Sequence, residues 1–138
     1  MMFSTVNALR THLVAMILCF MCIFPIEAFA SQGHDMAYKF ALSKELSDIN
    51  AAVEVYQERG FEPIWINRSR GARSRLRALF AAFEDSAAHG LPQGMFDANT
   101  IRIDLRSIRT SADLGVVEGK ITRAYLNYAQ MIKFGVLR

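Results

Sequence analysis

The stretch YQERGFEPIW, residues 56 to 65, holds the chain's only tryptophan, Trp65, close to Pro63, one of three prolines. A helical pattern runs into Arg59, meets Gly60, and gives way to Phe61, Ile64 and Trp65 grouped around the proline. Glycine at such a place supplies the left-handed residue that closes a helix, and the apolar residue after it packs back onto the last turn. Pro63 has no N–H to give to a ladder, so Phe61 to Ile66 is expected to form a short extended arm rather than an interior strand. Trp65 then anchors that arm against the protein's own helices.

Working outward, Leu42, Leu46, Ile49, Val53 and Tyr56 recur at steps of four and three and mark one core-facing helical stripe, with Ser43 or Ser47 as its cap. After a loop, Asn67 to Gly71, a second stripe of Leu76, Leu79, Phe80 and Phe83 continues through alanines to His89. Gly90 closes that helix, with Leu91 as the capping contact and Pro92 preventing resumption. Between residues 93 and 110, Met95 and Phe96 read as core contacts, and Ile101, Ile103 and Leu105 alternate like a brief strand. The third strong helix is capped by Thr110 or Ser111 with Asp113 in its first turn, and is closed by Gly135. Its apolar face reads Leu114, Val117, Ile121, Ala124, Tyr125, Tyr128, Ile132. The fold class expected is all-α: a small domain of three main helices, with the extended arm after the first.

The amino terminus is of another kind. Arg10 and His12 precede LVAMILCFMCIF, residues 13 to 24, and Ala28-Phe29-Ala30 follows. A charged start, a short apolar core and a small-x-small ending predict a secretory signal peptide over residues 1–30, cleaved between Ala30 and Ser31. A bilayer span needs roughly 20 apolar residues, so no stable membrane span is expected after cleavage. Cys19 and Cys22, the only cysteines, both lie in the apolar core of that signal. The mature domain is therefore expected to lack a disulfide, a thiol nucleophile and a cysteine-bound metal. The predicted location is the periplasm. Residues 31–46 read as a partly helical amino-terminal segment and 47–138 as the domain.

Candidate chemistry is thin. Arg68, Arg70, Arg73, Arg75 and Arg77 put five arginines in ten residues of a chain with net charge +3. Export removes nucleic acid as a partner, and alternate positions on a helix rotate by roughly 200°, so the cluster is no single phosphate-facing stripe. It reads as a solvated helix start, or as a patch for an anionic wall polymer. His89 at a helix end suits exposed carbonyls, and its only histidine companion in the mature chain is His34, so no metal site is assigned. Glu54 and Glu58 lie one turn apart on a solvated face, and Glu84-Asp85 are neighbours only in sequence; neither pair reads as an opposed catalytic couple. No phosphate loop or nucleophile elbow is present, and no cofactor is expected. Tyr125 and Tyr128 read as core residues, whereas the alternative for aromatics of this kind is a sugar-stacking groove.

Three segments together resemble the large periplasmic murein L,D-transpeptidases. Val55 to Trp65 looks like their segment of helix, glycine, aromatic, proline and tryptophan; His89-Gly90-Leu91 is similar to the helix end that follows; Thr122 to Ala129, with Gly135 closing, looks like the next helix. The resemblance runs from about residue 47 to residue 135 and singles out Tyr56, Gly60, Phe61, Pro63, Trp65, His89, Gly90, Leu91, Thr122, Arg123, Tyr125, Tyr128 and Gly135 as structural positions. It implies a helical scaffold domain, which in that family supports a separate catalytic domain with a cysteine nucleophile and a histidine. Neither catalytic residue carries over, because no cysteine follows Cys22 and no histidine follows His89. The chain departs from the family at Pro92, which follows Leu91 directly, and at Phe96, where a tyrosine is usual.

The expected function is a non-catalytic exported scaffold-like domain that docks on a cell-wall enzyme or on peptidoglycan, or a truncated remnant of a larger protein. Two alternatives stand beside it: a peptidoglycan-binding module using the arginine cluster, and a fragment of a full L,D-transpeptidase whose catalytic half lies beyond Arg138.

Overall fold

The computed structural model describes residues 27–92 and 94–135, with side chains from Asp35 onward. The segment expected to be a signal peptide, residues 1–30 with Cys19 and Cys22, lies outside the described residues apart from its last four positions. Among the described residues five α-helices appear in order: α1 Glu27–Glu45, α2 Asn50–Glu58, α3 Arg70–Glu84, α4 Ala98–Ser107 and α5 Ser111–Phe134, with a 3-10 turn at Ser86–His89. No strand occurs among the described residues, and the all-α expectation holds. Ala30 and Ser31 fall within α1. Glu27–Gln32 belong with the preceding unit and are described only as helix; Gly33 onward forms one compact unit.

The helix ends follow the local chemistry. Phe61 N–H donates to the Tyr56 carbonyl and Gly60 N–H to that of Gln57, the paired bonds of a glycine-closed helix. The same pair recurs at Leu91 to Ser86 and Gly90 to Ala87. Gly60 and Gly90 take the positive φ this closure needs, 63° and 76°. Phe61 also sits at φ 64°, which costs an L-residue roughly 1–2 kcal/mol, and it packs against the cluster containing Tyr56. Thr110 caps α5 in a reciprocal box with Asp113, and Gly135 N–H closes it on Met131.

Three readings change. The stripe from Leu42 to Tyr56 belongs to two helices, broken at Leu46–Ile49, and neither Ser43 nor Ser47 caps: Ile49 stands at the α2 start without a side-chain bond. The turn preserves the stripe, so Leu42, Leu46 and Tyr56 are all buried regardless. Residues 98–107 are helical, not a brief strand; Asp97 caps this helix on Asn99, and Ile101 faces the core while Ile103 is exposed. Alternation over five residues cannot outweigh a cap followed by an i, i+4 pair, Ile101 and Leu105. The second helix ends its α geometry at Glu84 and reaches His89 as a 3-10 turn.

Two apolar clusters form the interior. One gathers Trp65, Leu79, Phe80, Phe83, Ile101, Val117 and Ile121; the other gathers Tyr38, Leu42, Leu46, Ala52 and Tyr56. Helix α5 serves both, and Ile64 of the arm packs against each. The approach of α1 to α5 is close enough to require glycine: a Cβ on Gly115 would lie 2.4 Å from the Tyr38 carbonyl oxygen, and one on Gly119 would lie 2.6 Å from Glu45 Cγ. Arg123 fastens the far end of this contact, with its guanidinium on both Asp48 carboxylate oxygens, at 2.6 and 2.8 Å, and on the Glu45 carbonyl.

Candidate functional site

The arm is held by a carboxylate that sequence reading passed over. Glu118 on α5 is fully buried. Its Oε1 accepts from Tyr56 Oη at 2.7 Å, from Ile64 N–H at 2.6 Å and from Trp65 N–H at 3.0 Å; its Oε2 accepts from Ile66 N–H at 2.9 Å. Successive amides turned toward one point form a concave anion site, and here the protein fills it with its own side chain. A buried carboxylate is tolerable only when its lone pairs are met in this way. Thr122, one turn on, accepts from Trp65 Nε1 at 3.0 Å and lies 2.7 Å from Tyr56 Oη. Because Tyr56 gives its single proton to Glu118, the Thr122 proton serves the Tyr56 oxygen or the Glu118 carbonyl, 3.0 Å away.

The network ties Tyr56 and Trp65 of the opening stretch to Glu118 and Thr122 at the junction of the two clusters. Burial, then the Glu118 charge, pushes the Tyr56 phenol far above its usual value, so it stays a donor. Tyr38 is raised in the same direction, by burial first and Glu118 second, and its buried hydroxyl has no hydrogen-bond partner among the described residues. The signal for Glu118 was present: Leu114, Glu118, Ile121 and Tyr125 fall on one stripe, so a charge stood at a core position.

The outer edge of the arm is fixed from α3. Arg75 Nε and Nη2 donate to the Ile64 carbonyl at 3.2 and 2.7 Å, Asn67 Nδ2 donates to the Pro63 carbonyl at 2.8 Å, and Ser69 caps α3 on Ala72. Arg75 therefore leaves the arginine cluster for a structural bond. Arg77 donates to the Arg73 carbonyl at 3.4 Å, while Arg68, Arg70 and Arg73 are exposed with side chains that have no partner among the described residues. His89 is exposed at its turn, Glu84 pairs with Arg102 at 2.7 Å, and Glu54 and Glu58 are exposed on α2 with no partner among the described residues. Among the described residues no cluster of histidine, cysteine and carboxylates could hold a metal ion.

Fixing the arm leaves an open apolar groove of about 720 Å³ beside it. One wall is Ala51, Ala52 and Val55 of α2, the other is Arg75, Ala78 and Leu79 of α3, and the floor is Trp65, Tyr125 and Leu126. Tyr125, read as core, is 43% exposed on this floor, its ring tilted at 56° to Trp65 with centroids 5.3 Å apart. Tyr128 does pack inward, edge-on to Phe83 and Phe96. Phe96 stacks on Phe83 at 5.0 Å, whereas Met95 is exposed and Ile132, at the far end of the α5 stripe, is too. No described helix is long and apolar enough to cross a membrane.

A family model described as the scaffold domain matches residues 50–138, from the first residue of α2 to the last residue of the chain. No curated protein and no solved structure matches the chain. The match takes in the glycine-closed helix, the arm with Trp65, and the helix bearing Glu118 and Thr122, and it covers well over half of the sequence. The chain belongs to the scaffold-domain family of the L,D-transpeptidases.

Proposed function

We propose that this chain is an exported, non-catalytic docking domain of the cell wall, whose groove receives an apolar segment of a wall enzyme of the L,D-transpeptidase kind. The groove carries the reading. It is lined almost wholly by carbon, its floor includes two aromatic rings, and the arm that forms its edge is held by bonds to both α3 and α5. An exposed apolar patch of this kind is characteristic of protein contact rather than of a charged polysaccharide. Scaffold domains by themselves are in general non-catalytic and are found with L,D-transpeptidases, which supports a partner from that class.

Capture from envelope extract tests it. The wild-type chain should retain an identified L,D-transpeptidase, and Val55→Asp, at a position already 46% exposed, should lose it while keeping its circular dichroism. Recovery of no such enzyme, or equal recovery by the variant, would refute the proposal.

Arg68, Arg70 and Arg73 favour a second reading, contact with anionic wall polymer, because all three residues are exposed and have no side-chain partner among the described residues. Such binding should fall as salt rises through the physiological range, where exposed charges are screened over about 8 Å. Co-sedimentation with purified sacculi that is absent, or indifferent to salt, would eliminate it.

A further inference from the structure

The same molecule that carries the open groove also carries an exposed apolar ridge. On α1, Met36 and Phe40 are 71% and 73% exposed, one turn apart, and Lys44 follows one turn later without a partner among the described residues. The three cover roughly 12 Å of helix. The groove wall on α2 is Ala51, Ala52 and Val55, and Glu54 and Glu58, exposed on the same helix, have no partner among the described residues. The molecule thus offers apolar knobs ending in a cation, and an apolar trough one wall of which is a helix with two exposed carboxylates.

The ridge does not belong to its own groove. Tyr38, Ala41 and Leu42 occupy the opposite side of α1 and are buried, with Ala41 and the Leu42 backbone directly over Gly115 of α5. A rigid helix docked on that side cannot turn Met36 and Phe40 into the trough without leaving α5.

We infer that the groove takes the Met36–Phe40–Lys44 face of α1 from a second copy of this chain, with Lys44 beside Glu54 and Glu58. The inference rests on the groove being a docking surface. It makes the paired chain the resting arrangement, which an enzyme's apolar segment displaces. Each copy offers one ridge and one groove, so a reciprocal pair holds two such contacts.

Sedimentation velocity of the full chain over a concentration series tests this, with Phe40→Asp, Val55→Asp and an equimolar mixture of the two. Both substitutions fall on exposed positions, and unchanged circular dichroism will show that each variant is folded. The wild type should form a dimer with rising concentration, and each variant alone should associate at least tenfold more weakly. The mixture should recover a dimer, because Val55→Asp keeps the ridge and Phe40→Asp keeps the groove. A wild type that stays monomeric, association indifferent to both substitutions as contact through the apolar amino terminus would give, or a mixture no better than its components would each overturn the inference. Monomeric wild type that still captures a transpeptidase through Val55 would sink the paired state and leave the docking function standing.

Discussion

Replacing Glu118 with glutamine changes one atom of the arm's clasp and little of its shape. The amide oxygen can take the place of Oε1 and keep the Tyr56, Ile64 and Trp65 donors, now bonded to a neutral acceptor. The amide nitrogen then meets the Ile66 N–H, donor against donor. Leaving that buried amide unpaired costs about 1–3 kcal/mol. Weakening three charge-assisted bonds costs about another 1 kcal/mol after the lighter desolvation of a neutral group is credited. A loss of about 2–4 kcal/mol follows, a large part of the 5–15 kcal/mol typical of a domain. Trp65, the only tryptophan, reports on the site directly, so urea unfolding followed by its fluorescence measures the loss. Tyr56→Phe, alone and combined with Glu118→Gln, should show non-additivity, since both changes remove the same bond. A Glu118→Gln variant within about 0.5 kcal/mol of wild type, the range of ordinary surface changes, would refute the idea that this carboxylate holds the arm.

Other perturbations separate the remaining contacts. Gly115→Ala should destabilise by about 1–3 kcal/mol in thermal melts despite alanine's better helix propensity, because its Cβ would strike the Tyr38 carbonyl backbone of α1. Trp65→Ala should cost about 3–5 kcal/mol, read by far-UV circular dichroism, since it empties a buried site and removes the bond that Thr122 accepts from Trp65 Nε1. Hydrogen bonding to Arg123, with help from its own backbone amide, lowers the Asp48 carboxyl from 3.8 to about 2. A depressed folded-state value means stability that is complete above the unfolded value and lost as pH falls through the folded one. The melting temperature should therefore fall between about pH 4 and pH 2 in part through this pair, and Asp48→Asn should flatten that part of the profile; an identical slope in the variant would count against the pairing.

Much of the local structure could be read from residue order. Gly60 and Gly90, each followed by an apolar residue, announce their closures because only the left-handed conformation at glycine completes those bonds cheaply. Thr110 and Asp113 announce the start of α5 for an equally local reason. The α4 helix was misread because its polar residues hide a short apolar pair, and the break between α1 and α2 was missed because a four-residue turn leaves the stripe in phase. Arg75 looked like one more member of a basic cluster, since nothing in its neighbours says that the Ile64 carbonyl lies within reach of its guanidinium.

By itself the sequence determined the helical class, the helix closures and the family to which these belong, because capping and periodicity act over a few residues, whereas the arm expected to be extended is bent so that three successive amides meet Glu118. Only the tertiary structure decided what the arm closes upon. Glu118 lies more than fifty positions from Ile64, Trp65 and Ile66, and its meaning changes from an ordinary helical charge to a clasp once α5 brings it under three amides. The groove is likewise a property of three helices and an arm together: Val55 and Tyr125 line it in the open because the packing that buries Tyr56 and Trp65 leaves them uncovered.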